Sequence, residues 1–109
     1  MNYYYLNDDN TYEPCSIKEW SNQAHKFYST GGKHVGDDFI DGHRISTVWL
    51  GVDHNYFSDS APLLFETMVF DKDKNSIYCE LYSTWDEAEE GHIDALINLA
   101  KDACKDELS

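Results

Sequence analysis

A run of about twenty residues near the C-terminus constrains this chain more than any other feature. Thr84 and Glu87 form a capping box, and Asp86, Glu87, Glu89 and Glu90 crowd the positive end that follows. Ala88, His92, Leu96, Leu99 and Ala103 then recur along one stripe, widened by Ile93, Ile97 and Ala100. Lys101 and Lys105 stand near the negative end, where the helix dipole favours them. The pattern predicts a helix over residues 85–106. A helix with one apolar side must bury that side against another layer, and the β-prone segments upstream are the material for it.

Those segments come in pairs. Tyr3 to Leu6 is β-prone, Asn7 to Asn10 has turn chemistry, and Thr11 to Glu13 reads as the return strand, closed by Pro14. A second capping box, Ser16 with Glu19, opens a helix over residues 16–29, with Ile17, Trp20, Ala24 and Phe27 on one side and Gly31-Gly32 at its end. His34 to Ile40 and His43 to Val52 flank Asp41-Gly42, a strong hairpin signal. Leu63 to Phe70 and Ser76 to Tyr82 flank the charged turn Asp71 to Asn75. The order β-β-α-β-β-β-β-α predicts an α+β domain: a mostly antiparallel sheet with two helices packed on one face. With 109 residues the chain is expected to form a single domain, and 41% hydrophobic content sets it apart from a disordered acidic tail.

Charge narrows the function. Twenty-one Asp and Glu against eight Lys and Arg give a net charge of −13, which repels nucleic acid and anionic membranes and steers the chain towards basic surfaces. The partner expected is therefore a protein, with a basic nucleic-acid-binding surface as its most specific form; direct contact with nucleic acid or membrane is not expected. Cys15, Cys79 and Cys104 form no C-x-x-C pair, and no apolar run suggests a leader or a membrane span. Free thiols in a reducing cytoplasm are expected, with Cys79 and Cys104 filling core space.

Two constellations carry chemistry. In the first, Trp49, Tyr78 and Tyr82 form an aromatic sheet face, read as a partner-binding patch. Carboxylates at the hairpins, namely Asp37, Asp38, Asp41, Asp71 and Asp73, accompany it, and a row of them would imitate phosphates. In the second, Asp53 and His54, in a long polar loop, join Glu66 and His92 as ligands or acid–base groups of a small metal-assisted hydrolase. The metal-ligating members of that set are Asp53, His54 and His92. These residues lack the H-x-x-x-H or H-E-x-x-H spacing of a helical metal site, and His92 also reads as a core histidine bonded to Glu66 or a loop carbonyl. Gly31-Gly32-Lys33 lacks the spacing of a phosphate loop, and no cofactor is implied.

Three segments together resemble short, acidic, uncharacterised proteins encoded by bacteriophages and prophages. They are Tyr3-Tyr4-Tyr5-Leu6 with Pro14-Cys15-Ser16 and Trp20; Ser46 to Asn55; and Leu63 to Phe70 leading to Tyr82 to Ala88 and Gly91-His92. The resemblance implies the cytoplasm of an infected bacterium and an accessory role, for which inhibitors of host defence such as anti-CRISPR proteins are the precedent. It carries no assigned activity. The expectation is thus a non-enzymatic protein-binding domain; the alternatives are the metal-assisted hydrolase and a structural homodimer of the phage particle or its assembly.

Overall fold

The computed structural model describes residues 2–53 and 61–108, with side chains as far as residue 102. Eight elements follow in the expected order: β1 (Tyr3–Leu6), β2 (Tyr12–Cys15), α1 (Ile17–Tyr28), β3 (His34–Ile40), β4 (His43–Trp49), β5 (Phe65–Phe70), β6 (Ser76–Tyr82) and α2 (Trp85–Leu108). The fold is α+β, and every strand pairing is antiparallel. The strands divide into two sheets, a β1–β2 hairpin and a four-stranded sheet in the order β3-β4-β5-β6. Within each sheet consecutive strands are neighbours; short turns join β1 to β2, β3 to β4 and β5 to β6, whereas residues 50–64 separate β4 from β5. Asp41 and Gly42, at φ of 49° and 78°, supply the two left-handed residues that the tight β3–β4 turn needs.

The two helices serve different sheets, a more particular arrangement than both lying on one face. α2 lies across the four-stranded sheet and touches all its strands, whereas α1 contacts β1. Ser16 caps α1 with both arms of its capping box, accepting from the Glu19 backbone N–H at 3.1 Å while the Glu19 carboxylate accepts from the Ser16 N–H. Gln23, buried inside α1, then holds the hairpin: its Oε1 accepts from the Leu6 N–H at 2.9 Å and its Nε2 donates to the Leu6 carbonyl at 2.8 Å. One amide side chain thus replaces a strand neighbour for Leu6.

The strand expected to run to Val52 ends its pairing in the large sheet at Trp49; beyond it, Val52 bridges Tyr3, and the Tyr4 N–H donates to the Gly51 carbonyl. This crossover ties the small sheet to the large one. Aromatic rings continue the tie, with Tyr4 on Tyr12, Tyr12 on Trp49, Trp49 on Phe65 and Phe65 on Trp85, at centroid distances of 5.1–6.1 Å. Leu6, Leu64 and Ala88 complete the core around them. Burial of this group is the chief stabilising contribution, at about 1.5–3 kcal/mol for each large side chain.

Candidate functional site

Register decides which side chains meet. In β4, Ile45, Thr47 and Trp49 are buried and stand opposite Val69, Thr67 and Phe65 of β5, so these six line the face that α2 covers. Tyr82, Glu80 and Tyr78 of β6 lie opposite Phe65, Thr67 and Val69 and share that face. The alternate residues Arg44, Ser46 and Val48, with Glu66, Met68 and Phe70, form the outer face.

The aromatic patch expected to meet a partner is therefore the covered face. Trp49 is 8% exposed and sits in the core between Tyr12 and Phe65. Tyr82 is half-buried, its ring against α2 at Gly91, and burial raises its phenol pKa above the ordinary value. Tyr78 alone of the three is exposed, at the rim. The alternation along the strands is the expected one but the opposite face is buried, because Thr47 and Thr67 give that face a polar look. The outer face shows Phe39, 74% exposed, and Cys79, with Met68 and Phe70 half-buried between them. Cys79 is thus a surface thiol rather than core filling; burial first, and then the Glu66 carboxylate, raises its pKa, and its Sγ lies 3.5 Å from Glu66 Oε2. The Cys104 side chain lies outside those described.

His92 is 5% exposed and joins two strands to α2. Its Nε2 is 2.7 Å from Asp38 Oδ2, its Nδ1 is 2.7 Å from Thr47 Oγ1, and that oxygen is 2.6 Å from Thr67 Oγ1. A carboxylate only accepts, so Nε2 carries a proton for Asp38; in the neutral ring, Nδ1 then accepts from Thr47 and Thr47 from Thr67. The partners differ from those expected for His92: neither Glu66 nor a loop carbonyl is involved. Gly36 makes room for the ring, since a Cβ there would come within 2.6 Å of Nε2.

Carboxylate, imidazole and hydroxyl in series is the order of a nucleophile triad. Thr47 and Thr67 are wholly buried, however, and a substrate carbonyl has no approach to either hydroxyl. The relay docks the helix.

The metal-hydrolase constellation does not assemble as read. Glu66 points from the outer face and His92 sits under the inner one, with the sheet between them. Asp53 accepts from the Leu63 N–H at 3.2 Å, fastening the start of β5, and His54 lies outside the described residues. Among the described residues no group of three or more His, Cys, Asp or Glu is placed to hold a metal ion.

Several acids credited to a partner surface have internal bonds. Asp37 forms a two-pronged pair with Arg44, at 2.9 and 3.0 Å, which holds its carboxyl below the usual range. Asp38 serves His92, and Asp71 accepts from the backbone of Asp73 and Asn75, both at 2.9 Å, lowering its pKa. Asp41 and Asp73 stand exposed at the two hairpin tips. Asp86, Glu87, Glu89, Glu90, Asp94 and Asp102 of α2 are exposed, as are Ile93 and Ile97, which are about half exposed rather than part of the buried stripe.

No described helix is long and apolar enough to cross a membrane. No protein-family model, curated protein or solved structure matches the chain.

Proposed function

We propose that this is a non-catalytic, phage-type accessory domain that binds a host or phage protein in the bacterial cytoplasm through the outer face of its large sheet. One observation carries the reading: Phe39, Met68, Phe70 and Cys79 gather on a face that no described helix packs against. Arg44 lies over Phe39, at 5.9 Å from its centroid, and is neutralised by Asp37, so the centre of the face presents apolar surface without an unpaired cation. Exposed carboxylates of the two hairpin tips, Asp41 and Asp73, stand together at one end of it. The complementary partner has an apolar patch bordered by lysine and arginine, and a defence protein whose basic groove holds nucleic acid is its most specific form. A second copy fits less well, since each brings a charge of −13.

The test is capture from an infected bacterial lysate with the natural chain beside Phe39→Asp and Cys79→Asp. A protein retained by the natural chain, released by salt and lost from both variants supports the reading, provided their melting temperatures match. Retention that ignores both substitutions, or no retained protein, overturns it.

A further inference from the structure

We infer that the outer edge of β6, together with the groove between β6 and α2, accepts an extended cationic segment of a partner protein as a fifth strand. This rests on the reading that the domain binds protein, and it uses a different surface from the outer face. The sheet order leaves two edges, β3 and β6. Each edge strand carries one register irregularity, at Val35 in β3 and at Ile77 in β6, but β3 is further guarded by the adjacent charges of Asp37 and Asp38. β6 is seven residues long and exposed from Ser76 to Glu80; it contains no proline, lysine or arginine, and no described strand pairs its far side. Backbone N–H and C=O groups on such an edge are a template for another strand.

A second feature lies alongside. Val69 and Tyr78 on the sheet, with Ala95 and Leu99 on α2, line a groove of about 130 Å³. Alternate side chains of a strand point the same way, so a segment laid along β6 directs every second side chain to the helix side, where this groove accepts an apolar one. Charge selects the rest. Glu80 projects from β6 itself, Asp102 lines the groove, and Asp94 acts on the neighbouring Tyr82. The matching segment therefore carries an aliphatic residue for the groove, with lysine or arginine two positions away on the same, helix-facing side.

The probe is a synthetic peptide of about nine residues with lysine, valine and lysine at successive same-facing positions and threonine between them, and its control carries proline at alternate positions, which cannot pair as a strand. On titration into the full chain, the amides of Tyr78 to Tyr82 are expected to gain protection from hydrogen exchange and to show cross-strand contacts with the peptide. Tyr78→Lys and Leu99→Lys, which put a cation at the groove, should weaken binding at least about tenfold. Tyr78 is already half exposed, so its variant remains informative if Leu99→Lys fails to fold. Phe39→Asp should leave peptide affinity unchanged.

Absence of binding at millimolar peptide, equal binding of the proline control, protection mapping to β3 or the outer face, or β6 protection from self-association without peptide would each overturn the inference. The two readings fail separately. Loss of the edge result with partner capture still dependent on Phe39 removes only the fifth strand. A peptide that adds to β6 while capture ignores Phe39 removes only the outer-face contact.

Discussion

At the level of single residues, the most consequential position is Thr47. Its hydroxyl is wholly buried and touches both His92 and Thr67, so removing it leaves His92 Nδ1 without its bond and takes one bond from Thr67. Thr47→Val keeps the shape and is expected to lower the unfolding free energy by about 1–3 kcal/mol, the desolvation cost of a buried group left without its bond. Urea denaturation checks this: the midpoint should fall with the slope unchanged. A midpoint at the natural value would mean that the hydroxyls contribute nothing to docking α2. Asp37 offers a second test, this time in pH. Hydrogen bonding to Arg44 depresses its carboxyl below 3.8 in the folded chain. A depressed carboxyl contributes stability that is fully present above the unfolded value and lost as pH falls through the folded one. The natural chain should therefore lose this contribution below pH 3.8, while Asp37→Asn lacks that part of the acid-dependent slope. Equal slopes in acid titrations of stability would show that the exposed pair is screened to insignificance.

Among the elements, the β1–β2 hairpin is fastened to α1 through one side-chain amide. Gln23 supplies both of its polar fastenings to Leu6, and Trp20 Nε1 donates to the Leu50 carbonyl nearby at 3.1 Å. Gln23→Ala should accelerate hydrogen exchange at Leu6 and its β2 neighbours, with β4 and β5 amides moving much less. A uniform acceleration would make the hairpin part of one cooperative unit with the sheet. The elements themselves were legible in the sequence, because capping boxes, the Asp-Gly turn and the charged Asp71 to Asn75 turn act locally. Which face of a strand meets the helix is a tertiary fact. Thr47 and Thr67 pair across twenty positions of chain and bury their hydroxyls together, so the face that looked wet became the core and took Trp49 with it. The partners of His92 were illegible for the same reason: Asp38 and Thr47 reach it only once β3 and β4 are neighbours.

For the molecule as a whole, −13 spread over 109 residues is a standing repulsion, and capping and turn roles explain only part of it. Glu87 does cap α2, its N–H donating to Thr84 Oγ1 at 3.1 Å, and Asp71 orders its turn. Glu89, Glu90 and Asp94 stand exposed further along α2, where their mutual repulsion is the folded state's loss. Salt should act on folding and on binding with opposite signs. Screening shortens the reach of these charges to about 8 Å at physiological ionic strength and less above it. The melting temperature of the free chain is accordingly expected to rise by a few degrees from low salt to about 0.5 M sodium chloride, on the order of 1 kcal/mol. Over the same range, association with a basic partner should slow and weaken, because the steering field is the one being screened. Calorimetry and binding kinetics across one salt series measure both. Opposed trends would identify the unexplained carboxylates as a cost in folding retained for recognition; a melting temperature and an association rate both indifferent to salt would reduce them to local caps and turns.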